Sequence, residues 1–439
     1  MIAASTPAVP VRAAVGNLQS SLTLQINDHM RRLRAAGQPV YHLGFGESRF
    51  PVHALIAQAL GENVQQRSYQ PLLGIPALRQ TIGAYYQNKF GWKVDAEQVV
   101  VGPGSKALLY ALMLALRGEV ILPTPTWVSY APQAELTDRP FSYVPMDGRQ
   151  GYRLDAERVR AHLNGRANPI TLLYSNPHNP TGTVMTSAEA QALAALARER
   201  ELTVLSDEIY MLTTHADAPR ASVYDHYPQG TVVTGGTSKH LSLGGWRFGV
   251  AILPPGAPGR ALADALHNLA GAIWSCVAAP IQHAAMVAYS GAAEIERYIQ
   301  DCTRMHAART RYLYDALAEF GVSMPEPQGG FYLYPSFARW KAALGERGVR
   351  TSAELAHLLL EDYQIAVLPG SAFGDDSGEL TLRLSSSYLD VGTDEQAAAL
   401  PAAFADDPDP ERFMQQHHPE TRAVVHRFAD FIGSLERAA

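Results

Sequence analysis

The 439-residue sequence predicts an α/β fold: a three-layer αβα large domain around a mainly parallel sheet, with a smaller α+β domain beside it. Three observations predict it. Short runs that are apolar throughout recur in the middle of the chain, as strands buried on both faces do. Helical patterns with recognisable ends separate these runs, as βαβ crossovers require. After about Gly291 the alternation breaks down, and the length exceeds one typical domain.

The strand-like runs lie at residues 99–101, 120–122, 171–174, 202–206, 231–234 and 250–253. Between them, Ser105 is positioned to cap a helix running to Leu116, which Gly118 stops. Thr186 and Glu189 have the spacing of a capping box ahead of Leu193 and Leu196. Further on, a long helical stretch through Phe320 leads to an aromatic strand at 331–334 and a later strand at 381–384. The stretch 406–420, rich in Pro, Asp and His, reads as a surface excursion before a last helix at 421–435. The expected division is an N-terminal arm with part of the small domain at 1–50, the large domain at 51–290, and the small domain at 291–439.

Composition excludes several classes of function. With 47% hydrophobic and 18% charged residues and a net charge of -6, the chain has no basic footprint for nucleic acid or an anionic membrane. No apolar run is long enough to span a bilayer, and residues 1–15 lack the pattern of a secretion signal. The two cysteines, Cys276 and Cys302, have neither metal nor redox spacing, so a cytoplasmic protein without structural disulfides is expected. His417 and His418 are adjacent and face opposite ways in regular structure, and no Cys-His cluster occurs, so no metal is expected.

Ligands of open α/β sheets sit beyond the carboxyl ends of the strands, so polar residues there carry most weight. The chain supplies Gly104-Ser105-Lys106 after one strand and Trp127 after another. Asn176-Pro177-His178-Asn179 follows a third, Asp207-Glu208-Ile209-Tyr210 a fourth, and Gly236-Thr237-Ser238-Lys239 a fifth. Taken alone, Lys239 reads as a surface lysine. Set after a buried strand among small residues, near Arg247, it has the surroundings that depress an amine pKa and suit an imine-forming nucleophile.

The segment from Gly236 to Gly249 resembles the lysine-attachment signature of the class I/II pyridoxal 5'-phosphate (PLP) aminotransferases, the aspartate aminotransferase superfamily of fold type I. Phe248 departs from it, standing where a smaller aliphatic residue is usual. The resemblance runs from about Ser20 to Leu384, with its motifs in family order, and does not cover 405–420.

It implies that Lys239 carries PLP as a Schiff base, that Asp207 keeps the pyridine nitrogen protonated, and that Tyr210 and Asn179 bond the phenolic oxygen. It further implies that Ser105 and the Lys106 backbone N–H, after Gly104, hold the phosphate with Arg247, while Trp127 stacks on the ring. Gly236 stands where a serine would add one more donor. Arg383, in Leu-Arg-Leu-Ser, matches the arginine that grips the substrate α-carboxylate, and Gly46 matches the glycine whose backbone approaches that group. After Gly46-Glu47, Ser48 and Arg49 replace the usual Pro and Asp. Tyr69 matches a tyrosine that reaches the phosphate of a neighbouring subunit, which implies a homodimer with shared sites.

The implied reaction moves an amino group from an L-amino acid to a 2-oxo acid. Lys239, displaced by the substrate, takes its α-proton as general base and returns it to the C4′ carbon of the cofactor. Lys106 matches a position that meets an acidic substrate's distal carboxylate, beside the alternative of a solvated helix residue. No arginine occurs in 270–282, and Phe45, Trp274 and Phe331 suggest an apolar wall. The same scaffold supports decarboxylation, elimination and oxidation, so a specialised biosynthetic PLP enzyme is the alternative. A nicotinamide dehydrogenase is disfavoured: Gly102-Pro-Gly104-Ser-Lys-Ala107 has the dinucleotide spacing, but the next strand ends without an acid for a ribose. A PLP-binding regulator would need a basic helix-turn-helix in front, where only about 20 residues precede the match.

Overall fold

The computed structural model describes residues 11–16, 30, 32–33, 37 and 39–437. Most of the expected N-terminal arm (1–10, 17–29 and several positions to 38) lies outside the described residues. Beyond β1 (Tyr41–His42), seven strands form one sheet: β2 (Val99–Gly102), β3 (Glu119–Thr124), β4 (Phe141–Pro145), β5 (Ile170–Ser175), β6 (Thr203–Asp207), β7 (Thr231–Gly236) and β8 (Gly249–Ile252). Their order is β2-β8-β7-β6-β5-β3-β4. Neighbours are parallel except at β8, which is antiparallel to both β2 and β7.

Strands β2, β5, β7 and β8 are buried along their whole length, the physical reason they read as unbroken apolar runs. β4 was not legible in this way. It is the sheet's edge, four of its five residues keep some exposure, and Ser142 and Tyr143 interrupt the apolar signal.

The helix Ser105–Ala115 buries Leu108, Leu109 and Leu112 against the sheet. Each contributes about 1.5–3 kcal/mol, which holds the helix N-terminus at the end of β2. Its cap differs from the expected one: Gly104, with φ of 91°, is the N-cap, and Ser105 is already the first helical residue. The Thr186 capping box forms as expected, with the Thr186 side chain accepting from the Glu189 N–H.

The second part of the fold is built on the long helix Ala293–Glu319. β1 pairs in parallel with β10 (Ile365–Ala366). β9 (Tyr332–Leu333), β11 (Leu368–Pro369) and β12 (Leu382–Ser385) form a small antiparallel sheet in the order β11-β12-β9. Leu43, Leu313, Phe337, Leu384, Phe428 and Phe431 share one core there, so the chain's beginning and end meet in this unit.

Residues 406–420 are not a surface excursion. They contain the helix Pro410–His417, capped by the Asp409 side chain, with Phe413 and Met414 buried. Phe413 packs against Phe404, Phe50 and Met305. The Pro and Asp content marks the helix start rather than a loop. His418 is also buried, with Nδ1 3.3 Å from the Phe413 carbonyl. Among the described residues, no helix is long and apolar enough to cross a membrane, and no group of three His, Cys, Asp or Glu residues could hold a metal ion.

Candidate active site

The parallel strands end together because of their register. Ser175 of β5 pairs with Asp207 of β6, and Asp207 with Thr234 of β7. The residues that follow these strands line one cleft of about 540 Å³. Ser105, Lys106, Trp127, Asn179, Asp207, Tyr210, Lys239 and Arg247 all contribute to its wall, and Gly46 and Arg383 join them from the other part of the fold. Of the expected residues, Gly104 lies just behind the wall, and Tyr69 is 88% exposed and does not line its own chain's cleft.

Lys239 is half-buried, its Nζ donating to the Gly46 carbonyl. It lies over the rings of Tyr210 at 5.5 Å and Phe331 at 5.8 Å from their centroids. Its pKa is lowered to about 8, first by burial and then by the charge of Arg383; Glu47 and Asp207 oppose this. The neighbouring cation is therefore Arg383, over 140 residues away, and not Arg247 as the sequence suggested. An amine with this pKa is unprotonated in about a tenth of molecules at pH 7, far more than an ordinary lysine, and so supplies a nucleophile near neutral pH.

Asp207 is 3% exposed at the floor of the cleft. Its oxygens accept hydrogen bonds from Tyr130 at 2.9 Å and Thr234 at 3.0 Å. Burial raises its pKa to about 6, against these hydrogen bonds. A carboxylate held by hydroxyls in a desolvated position calls for a cation opposite it.

Gly104 explains the opposite end. A Cβ there would lie 2.2 Å from Arg247 Nη2, and its φ of 91° favours glycine. The guanidinium thus sits over the N-terminus of the helix Ser105–Ala115, whose first N–H groups have no partner inside the helix. The two together form an anion cradle. Gly236 has a local reason for lacking a hydroxyl: a Cβ would meet the Phe248 carbonyl at 2.5 Å. Phe248 itself is buried in the core with Tyr289 and Val250.

Arg383 is 4% exposed, with Nη2 donating to the Gly44 carbonyl at 2.6 Å. Its Nε, like Asn179 Oδ1, is buried without a hydrogen-bond partner among the described residues. Tyr332 lies beneath the guanidinium, 4.8 Å from ring centroid to Cζ, and its hydroxyl is 2.6 Å from that of Tyr210. A Cβ on Gly46 would lie 1.9 Å from the Tyr332 hydroxyl, so only glycine allows this approach.

Tyr130 and Tyr332 were missed in the sequence. Tyr130 begins a helix three residues past Trp127, a position that could have been flagged. Tyr332 sits in an aromatic strand with no local mark of its role. Lys106 remains largely exposed, yet lines the cleft with Nζ 5.0 Å from the Trp127 ring centroid. Phe45 lines the cleft as expected and Phe331 lies under Lys239, whereas Trp274 packs into the sheet core with Leu108 and Leu266.

An anion cradle, a flat indole, a buried acid with no ion-pair partner among the described residues beyond the distant Lys239 amine, an Asn oxygen with no hydrogen-bond partner among them, and a low-pKa amine fit a phosphorylated pyridine aldehyde. The chain was compared with known proteins. The model of the aminotransferase class I and II family matches residues 38–399. The aspartate aminotransferase of Geobacillus stearothermophilus is 33% identical over 390 residues, 87% of this chain and 96% of that protein. That of Streptomyces avermitilis is 35% identical over 389 residues, 85% and 92% of the two chains. The structure of Thermus thermophilus aspartate aminotransferase with maleate superposes with a TM-score of 0.78 at 25% identity, covering 91% of this chain and 100% of that one. The chain accordingly belongs to the class I and II aminotransferases, the fold type I PLP enzymes that move an amino group from an amino acid to a 2-oxo acid.

Proposed function

We propose that Lys239 joins covalently to PLP and then serves as the general base of the transfer, with Asp207, Arg383 and the anion cradle dividing the remaining work. The observation that carries this is that Lys239, Asp207 and Arg383, from three distant stretches of sequence, line one cleft. Ser105, the Lys106 N–H and Arg247 would hold the phosphate behind Gly104. Trp127 would cover the ring, Asn179 and Tyr210 would bond its phenolic oxygen, and Asp207 would face its nitrogen. When bound, PLP supplies an electron-poor ring that takes up the charge left as an α-proton departs.

The protein's own groups do the rest. Arg383 and the Gly46 backbone hold the substrate α-carboxylate, the guanidinium offering donors that Gly44 does not use. Lys239, with its pKa lowered to about 8, takes the α-proton and keeps it beside the substrate for return. Tyr130 and Thr234 orient the Asp207 carboxylate, and Tyr332 sets the Tyr210 hydroxyl. Replacing Lys239 with Ala should abolish both the covalent fixation of the cofactor to the chain by borohydride and amino transfer. Turnover of an amino donor by Lys239→Ala at near wild-type rate would end this reading.

For the substrate side chain, Lys106 beside Trp127 supports an acidic donor, glutamate or aspartate, with its distal carboxylate on the ammonium. A panel of donors offered with 2-oxoglutarate tests this, and indifference to acidic donors removes Lys106 from substrate binding. The exposure of Tyr69 at 88%, with Val64 at 63% and Ile273 at 53% also exposed, supports a homodimer in which Tyr69 reaches the phosphate bound to a second copy. Residues 51–290 would then be the PLP-binding domain, with 1–50 and 291–439 supplying the arm and the small domain. The two unpaired thiols, Cys276 and Cys302, support a cytoplasmic setting.

A further inference from the structure

The departure from the family pattern at Ser48 leads to a feature that the proposed reaction does not yet use. Ser48 is 2% exposed, and its Oγ lies 2.6 Å from Ser242 Oγ and 2.9 Å from His306 Nε2. The His306 ring is buried between Phe50 and Phe331, 4.9 Å from each ring centroid. Its Nδ1 faces Arg309 Nη2 at 3.4 Å, and Arg309, fully buried, donates through Nη1 to the Leu389 carbonyl.

A guanidinium has donors and no acceptor, so it keeps a proton off the facing Nδ1. Burial, and then the charge of Arg309, push the His306 pKa well below its ordinary value, so the ring is neutral with its proton on Nε2. The direction of the bond to Ser48 follows. Nε2–H donates to Ser48, and the Ser48 and Ser242 hydroxyls share the next hydrogen bond. The Arg309 end can only donate, so the His306 ring cannot reverse its tautomer without setting a proton against the guanidinium.

His306 and Arg309 both belong to the helix Ala293–Glu319. Ser48 lies two residues past Gly46, and Ser242 three residues past Lys239, with a φ of 58°. Both partners of the Lys239–Gly46 hydrogen bond are therefore anchored in the same chain of hydroxyls.

We propose that this chain holds the Lys239 amine against the Gly46 carbonyl, with Ser48 and His306 acting as positioning residues for the catalytic lysine and for the backbone that meets the substrate carboxylate. The proposal rests on the reading of Lys239 given above. Other groups facing Lys239 are Arg383, Glu47, Asp207 and Lys106, and none of them belongs to the chain.

The test compares purified holoenzymes: wild type, Ser48→Ala, His306→Phe, the double variant, and Lys239→Ala as reference. Cutting the chain should raise KM for the amino donor about 3- to 10-fold with a smaller effect on kcat, as loss of one neutral hydrogen bond would. The pH midpoint of the cofactor's visible band should move by about 0.4–1. The double variant should be no worse than the poorer single one, since both cut one chain. In cofactor-free wild type, nitrogen-15 NMR should find a neutral His306 protonated at Nε2. Ser48→Ala removes a single hydroxyl and keeps the test standing should His306→Phe not fold. An unmoved midpoint and KM in Ser48→Ala, additive effects in the double variant, or a His306 protonated at Nδ1 would each overturn the positioning role. Borohydride fixation of the cofactor to the chain surviving in Lys239→Ala would instead overturn the reading of Lys239, and this proposal with it.

Discussion

Asp207 should make the cofactor-free protein less stable than it could be, and the cost can be worked out. The carboxyl is buried between two hydroxyls, and its pKa rises from 3.8 to about 6 with burial as the leading cause. A group whose pKa is raised on folding supports stability fully below its unfolded pKa and loses that support as pH rises through its folded pKa. At about 1.4 kcal/mol per pKa unit, ionised Asp207 costs the folded state about 3 kcal/mol above pH 6. Asp207→Asn removes that charge but offers Tyr130 and Thr234 one acceptor instead of two, a loss of about 1 kcal/mol. The variant should therefore be more stable than wild type by about 2 kcal/mol at pH 8, with the difference vanishing or reversing near pH 4. Urea unfolding of both cofactor-free proteins at the two pH values measures this. Amino transfer by the loaded variant should fall about 10- to 150-fold, the value of a lost charge-assisted hydrogen bond. A variant that is no more stable than wild type at pH 8 would refute the argument that burying this ionised acid costs the folded state.

Two further outcomes follow from the geometry. Arg383→Lys keeps a positive charge but loses the planar fork, so kcat/KM for amino donors should fall about 10- to 100-fold while the visible band stays unchanged. Steady-state kinetics checks it, and a loss below about 3-fold would remove Arg383 from the carboxylate site. Gly104→Ala puts a methyl where Arg247 Nη2 now lies, at a left-handed φ of 91°. The backbone term alone costs about 1 kcal/mol, and displaced Arg247 adds to it, so PLP should bind about 10-fold or more weakly in reconstitution assays. Unchanged affinity would show that the cradle lies elsewhere.

Much of this protein was legible along the chain because the signals are local. A strand covered on both faces must be apolar at every position, as β5 and β7 are. A helix that begins after a strand needs a turn residue, and the Gly236–Gly249 segment carries its own chemistry within 14 positions. These properties belong to neighbouring residues, so the sequence alone determined the α/β class, the lysine and the acid. It erred where the pattern was local but the cause was not. The edge strand β4 lacks a strand on one side, the 406–420 stretch has turn-forming residues yet buries Phe413, and Trp274 packs partly buried against the core rather than lining the cleft.

Only the tertiary structure decided which charges and hydroxyls meet. That Arg383 rather than Arg247 depresses the Lys239 amine depends on β12 being brought to the large sheet's cleft. That Tyr130 holds Asp207, that Tyr332 holds Tyr210, and that Ser48 reaches both Ser242 and His306 depends on contacts between residues 77 to 258 positions apart. Electrostatic and hydrogen-bond energies act over a few ångströms of space, and separation along the chain carries no information about that distance until the elements have packed.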